Sequence, residues 1–226
     1  MAKPSILFLH GSGTNAEIFR LQTRKLAHLL QPHFTLLYPT APLPSKPGPG
    51  VLPFFEECGP FATWMDDTSA ATEDPYWGAD HSDDSSGVSA LLASIERLVR
   101  DEGAGPVVGV VGFSMGAQVG MEVSRRMGEA VRVVVSVCGT VPYRGGGDAA
   151  REEGFRRMVE RGRVRAESVQ IIGETDPWRG QSEKLVGFFE EDGRRVIRFR
   201  GGHMMPADDA INKQVVKVML AACSGV

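Results

Sequence analysis

Three short segments of this chain carry side chains that could carry out acyl transfer together. Ser114 lies in Gly112-Phe113-Ser114-Met115-Gly116, directly after the apolar run Val107-Val108-Gly109-Val110-Val111. Asp176 lies in Gly173-Glu174-Thr175-Asp176, after Ser168-Val169-Gln170-Ile171-Ile172. His203 ends Gly201-Gly202-His203, after Val196-Ile197-Arg198-Phe199-Arg200. A serine hydroxyl is a poor nucleophile at neutral pH and needs a base to take its proton as it attacks. Imidazole titrates near working pH and can hand that proton on to the leaving group. A carboxylate accepting from the other ring nitrogen fixes the tautomer and stabilises the imidazolium. Each residue also has a plainer reading when taken alone. The pentapeptide could arise by chance in a chain with 27 glycines, His203 could be a loop histidine, and Asp176 a turn residue before Pro177. Of the other histidines, His28 and His33 flank the first helical stretch and His81 sits among acids. His10 precedes a glycine turn, where it would order the loop.

The elements around these residues favour the concerted reading. Each of the three follows a strand-like run, at the carboxyl end where an open parallel sheet gathers its functional loops. The order Ser, Asp, His along the chain is that of α/β-hydrolases, whose nucleophile sits on a sharp strand-to-helix turn. Strand and helix patterns alternate throughout. Strands are expected at 6–9, 34–38, 107–113, 131–137, 167–172 and 195–200. Helices are expected at 16–30 after a possible Asn15 cap, 86–100, 115–127, within 149–161 and at 180–191. A closing helix would have Pro206 in its first turn and reach about residue 222. Near-continuous Val/Ile strands separated by helices imply a parallel sheet covered on both faces. The expectation is therefore an α/β-hydrolase fold: a doubly wound, mostly parallel sheet of about six strands in a single domain over 1–226.

A tetrahedral intermediate needs donors for its oxyanion. The backbone N–H of Met115, at the start of the nucleophile helix, is one candidate, and the N–H of Ser12 in His10-Gly11-Ser12-Gly13-Thr14 is the other. That glycine-rich loop could equally be a turn only. No Gly-Lys-Ser/Thr and no G-x-G-x-x-G follows a strand, so the sequence points to no cofactor.

Residues 40–84 break the alternation. Seven of the fourteen prolines fall between Pro39 and Pro60, and the segment carries Phe54, Phe55, Phe61, Trp64, Tyr76 and Trp77. A connection this long inside a compact domain is usually functional. It reads as a lid or pocket wall, with Phe54, Phe55, Trp64 and Trp77 as substrate contacts, or else as a solvated excursion plugged to the sheet by its aromatics. Between Pro47 and Glu96 there are ten Asp and Glu and no Lys or Arg. Asp66, Asp67, Asp80, His81, Asp83 and Asp84 match no known metal-ligand spacing, so no metal is expected.

The bulk numbers set outer bounds. The 226 residues suffice for one buried core. Apolar residues make up 42% of the chain, which argues against disorder. A net charge of −3 gives no field toward nucleic acid or a membrane surface. The three cysteines, Cys58, Cys138 and Cys223, read as reduced thiols of a cytoplasmic protein. No run approaches the roughly 20 apolar residues of a membrane span. The apolar start at Ile6–Leu9 is too short for a signal peptide and reads as a first strand.

Beyond these residues, the chain resembles the FSH-type serine hydrolases, a compact α/β-hydrolase family common in fungi. The likeness rests on Leu9-His10-Gly11, on Pro53-Phe54-Phe55-Glu56 with Gly59-Pro60-Phe61 and Trp64, and on the Ser114, Asp176 and His203 motifs with Pro206. The middle set is the most family-specific. The resemblance implies an esterase-like activity. It also implies kinship with separate thioesterases that release polyketide chains from a synthase in secondary metabolism. Family members often carry Gln after the nucleophile, where this chain has Met115. The donor there is backbone, so the change leaves the expected chemistry intact. An acyl carrier protein, usually acidic, would be the partner. Arg151, Arg156, Arg157, Arg161, Arg163 and Arg165 could dock it, or could simply form a solvated face balanced by Glu152, Glu153 and Glu160. A carboxylesterase on small oxygen esters and a ligand binder on a hydrolase shell remain as other readings. Oligomeric state is not legible in one chain.

Overall fold

In the computed structural model, the residues described are 2–64, 87–101, 103–141, 156, 159 and 162–224. Six parallel strands form the central sheet: β1 (Ser5–Leu9), β2 (Thr35–Leu37), β5 (Val107–Phe113), β6 (Val133–Val137), β7 (Glu167–Gly173) and β8 (Arg194–Phe199). The spatial order is β2-β1-β5-β6-β7-β8. The chain therefore winds outward from β1 to β2, then returns to β5 on the other side of β1. The loops leaving β1 and β5 diverge at that reversal, which opens a crevice at the carboxyl edge. β3 (Leu43–Ser45) and β4 (Phe61–Thr63) form a separate antiparallel pair. A backbone bridge from Ala62 to Thr14 ties this pair to the loop after β1.

Alternation along the buried strands sorts their side chains into two cores. Leu7, Leu9, Val110 and Val134 face α3 (Gly87–Asp101), α4 (Met115–Met127) and α5 (Arg179–Val186), which contribute Ile95, Ala117 and Leu185. Ile6, Phe8, Val111 and Val135 face α1 (Ala16–Gln22), α2 (Arg24–Leu30) and α6 (Asp209–Ala222), with Phe19, Leu30 and Met219. A sheet covered on both faces needs strands apolar on both faces, which is why β5 and β6 are buried throughout.

Two local expectations need correction. The helix expected over 16–30 divides at Thr23, whose hydroxyl donates back to the Phe19 carbonyl at 2.7 Å and lies 3.0 Å from the Tyr38 hydroxyl. Such back-bonding competes with regular helix and bends it. The closing helix begins at Asp209, after Pro206. Asp208 caps it, accepting from the N–H groups of Ala210 and Ile211. The helix expected within 149–161 falls mostly outside the described residues, as does 65–84 of the inserted segment.

Candidate active site

The turn between β5 and α4 holds Ser114 at φ 54°, ψ −121°. Side chains rarely adopt this conformation. Its surroundings impose it. The Ser114 N–H donates to Val137 O at 3.0 Å, and its carbonyl accepts from Ala117 and Thr140. The flanking glycines have a steric purpose. A Cβ on Gly112 would strike the backbone of Ala117, and one on Gly116 would strike the Leu9 carbonyl. Without side chains there, the first turn of α4 settles against β1 and β5, and Ser114 is left half exposed at the sheet's edge.

Backbone bonds bring the other two residues together. Glu174 N–H donates to Phe199 O, and Thr175 N–H donates to Gly201 O, which ties the loops after β7 and β8 to each other. His203 Nδ1 then lies 2.9 Å from Asp176 Oδ2. Asp176 Oδ1 accepts the Trp178 N–H at 2.8 Å, and the carboxylate side chain is fully buried. Nδ1 must be the donor to a carboxylate, so Nε2 is left with its lone pair. The imidazole is braced on two sides, by Trp178 (centroids 4.6 Å apart) and by Phe113 (4.9 Å), the residue just before Ser114.

Cys138 stands behind this pair. Its Sγ is 3.6 Å from Gly202 O and 3.7 Å from Met204 O, the carbonyls on either side of His203. Burial, aided by the Asp176 charge, pushes the thiol up to about 12. It therefore stays protonated and latches the histidine loop. Cys138, Asp176 and His203 place donor atoms within 4.8 Å of one another. Asp176 and His203 already bond to each other and the thiol keeps its proton, so the cluster suits proton relay. The acidic loop residues weighed as metal ligands lie outside the described residues.

The loop after β1 is pinned by His10. Its Nδ1–H donates to Gly11 O at 2.8 Å, and Nε2 accepts the Ala41 N–H at 3.0 Å. Those roles require the neutral ring. Burial lowers its pKa from 6.5 to about 4, with the Gly11 bond acting in the opposite direction. The unfolded chain therefore binds a proton that the folded chain refuses between pH 6.5 and 4. This part of the stability is complete above pH 6.5 and is lost as pH falls toward 4. Urea unfolding should show wild type losing about 2 kcal/mol from this site between about pH 7 and about pH 5. His10→Gln should show a smaller loss over the same interval. Equal losses in the two proteins would contradict the assignment.

The N–H groups of Ser12 and Met115 find no acceptor among the described residues, consistent with α4 starting at Met115. Trp64 is only 3% exposed. Its indole N–H donates to His10 O at 2.7 Å and its ring lies 4.9 Å from His10. It braces this loop, where the sequence suggested a substrate contact. Phe54 is 84% exposed and Phe55 half-buried, on a segment held to the β1 loop through Asn15, which donates to Cys58 O and Pro60 O. Trp77 lies outside the described residues. Of the arginine set, Arg163 and Arg165 line a cleft of about 630 Å³ with Arg125 and Arg132. That cleft lies at the amino edge of β6 and β7, opposite Ser114. Arg151, Arg157 and Arg161 lie outside the described residues.

A family model described as Serine hydrolase (FSH1) matches residues 1–215. The chain belongs to the FSH1 serine hydrolases. As a member, it is a hydrolase with esterase-type relatives. It is 32% identical over 224 residues to Esterase FUS5 of Gibberella fujikuroi, covering 96% of this chain and 86% of that one. It is 30% identical to Thioesterase FSL2 of Gibberella zeae over an alignment of 239 residues, covering 96% and 92%. Among solved structures, a carboxylesterase from Mesorhizobium loti superposes with a TM-score of 0.63 over 97% of this chain and 89% of that one. At 16% identity that likeness speaks for the α/β-hydrolase fold alone. No described helix of this FSH1 chain is long and apolar enough to cross a membrane.

Sequence reasoning named Ser114, Asp176 and His203 but missed Trp178, Cys138 and Thr63. Thr63 lies 3.0 Å from the Ser12 hydroxyl and 3.3 Å from Met115 Sδ. Proximity of Trp178 to Asp176 was the one available signal.

Proposed function

We propose that this chain cleaves acyl thioesters by a Ser114–His203–Asp176 relay, releasing an acyl chain of polyketide type from a carrier protein. The observation that carries the reading is the bond from His203 Nδ1 to buried Asp176, set beside the strained Ser114 turn. With Nδ1 committed, Nε2 can take the Ser114 proton as Oγ attacks the carbonyl carbon. The oxyanion forms between the N–H groups of Ser12 and Met115, and losing such a donor typically raises the barrier by about 3–4 kcal/mol. His203 returns the proton to the departing thiolate, leaving acyl-Ser114. Water, deprotonated by the same imidazole, then frees the acid and restores the serine. Phe54 and Phe55 would lie along the acyl chain. No cofactor is required.

The name of Thioesterase FSL2 supports the thioester as substrate, and that of Esterase FUS5 supports a second reading, an oxygen-ester hydrolase. Both pass through one kind of tetrahedral intermediate, so only substrate comparison separates them. With one acyl group presented as a thioester, an oxygen ester and a carrier-bound thioester, kcat/KM should rank carrier-bound first. The free thioester should exceed the ester by about tenfold or more. An ester preferred to both thioesters would overturn the first reading in favour of the second. A protein that neither turns over substrate nor reacts with a fluorophosphonate would be a binder. The arginines described at the amino edge lie on the far side of the sheet from Ser114, so a carrier protein would approach the carboxyl edge instead.

A further inference from the structure

We infer that the Thr63 hydroxyl is a positioning residue that fastens the two halves of the oxyanion site to each other; the inference rests on the oxyanion role proposed above for Ser12 and Met115. The two donors come from different parts of the chain. Ser12 sits between Gly11 and Gly13, and Gly13 has φ 69°. Flanked by glycines, this loop has little stiffness of its own. Met115 opens α4. Thr63 ends β4, the strand that bridges to this loop through Thr14 and Ala62, and Gly13 N–H donates to Ala62 O at 2.9 Å. The side chain of Thr63 is therefore delivered to the side chains of both donor residues, Ser12 and Met115, and the residue is 5% exposed.

The proton order follows from chemistry. A thioether sulfur can only accept a hydrogen bond. Thr63 therefore donates its single hydroxyl proton to Met115 Sδ at 3.3 Å. Ser12 Oγ, at 3.0 Å, must then be the donor to Thr63 Oγ1. The chain of bonds runs Ser12 to Thr63 to Met115, which leaves the oxyanion to the two backbone N–H groups. Donors aimed at a developing charge act by being fixed before the reaction. Thr63 links the side chains of both donor residues, beside the direct packing of Gly116 against the Leu9 and His10 carbonyls. The inserted hairpin is thus part of the catalytic framework, besides any cover it gives the substrate.

Thr63→Val keeps the shape and removes the hydroxyl, while Thr63→Ser keeps the hydroxyl and removes a methyl. For Thr63→Val, kcat should fall about 10- to 100-fold, with KM changed less than about threefold. Affinity for a trifluoromethyl ketone, which forms a tetrahedral adduct, should fall in step with kcat/KM. Affinity for the product acid should not change. Thr63→Ser should stay within about threefold of wild type in every measure. A Thr63→Val protein with wild-type kcat overturns the inference. So does a Thr63→Ser protein as impaired as Thr63→Val, because the methyl would then be what matters. Should Thr63→Val fail to fold, Met115→Leu decides: it removes the acceptor sulfur, and kcat should fall about threefold or more at constant KM. An unchanged kcat there overturns the inference too. If Ser114→Ala retains activity, the proposed function itself fails. If Ser114→Ala is inert and Thr63→Val is normal, only the inference about Thr63 fails.

Discussion

Ser114→Ala should lower kcat on any acyl substrate by about a million-fold, since removing the nucleophile from such a relay costs about as much as removing the whole relay. The size of the effect follows from the site. Ser114 is held at its positive φ by bonds to Val137, Ala117 and Thr140, which fix where its hydroxyl stands. The remaining groups, two backbone N–H donors and a braced imidazole, would still bind the substrate, so KM should change little. Stability should change little as well, because the hydroxyl makes no hydrogen bond among the described residues. A Ser114→Ala protein within about a hundredfold of wild type would place the nucleophile elsewhere.

Asp176→Asn should lower kcat by about ten-thousandfold, and the reason is specific to this carboxylate. Asp176 Oδ1 accepts the Trp178 N–H, while Oδ2 accepts from His203. An asparagine there has one oxygen and one NH2. The Trp178 N–H needs the oxygen, which turns the NH2 toward His203. Nδ1 must then accept, the ring proton moves to Nε2, and the nitrogen that should take the Ser114 proton no longer can. Fold and KM should be preserved, since the buried contacts keep their shape. Steady-state kinetics on the purified variant check this. A loss below about tenfold would mean that the tautomer is not set by Asp176.

Ser114, Asp176 and His203 stood out as candidates because each follows a strand whose apolar run is unmistakable, and because a parallel sheet puts all such strand ends along one edge. The glycines at 112 and 116 were legible for the same reason: a helix that starts against β1 leaves no room for side chains. What escaped is what tertiary contact alone creates. Thr63 and Met115 are 52 positions apart, and Cys138 and Gly202 are 64 apart; neither pair has local periodicity to betray it. Trp64 looked like a pocket aromatic by its neighbours, yet its N–H is claimed by His10 and its ring is buried. Thr23 broke a helix whose apolar spacing ran on past it, because a back-bonded hydroxyl outweighs propensity. Pro206 suggested a helix start three residues before Asp209, where Asp208 supplies the cap that the first turn requires.

The most direct measurement of the relay is intact-mass spectrometry of the protein mixed with a slowly deacylating thioester, followed by peptide mapping of the adduct. The relay predicts a single acyl increment on the peptide containing Ser114, absent in Ser114→Ala and formed far more slowly in Asp176→Asn. An increment on any other residue, or one that persists in Ser114→Ala, would contradict it.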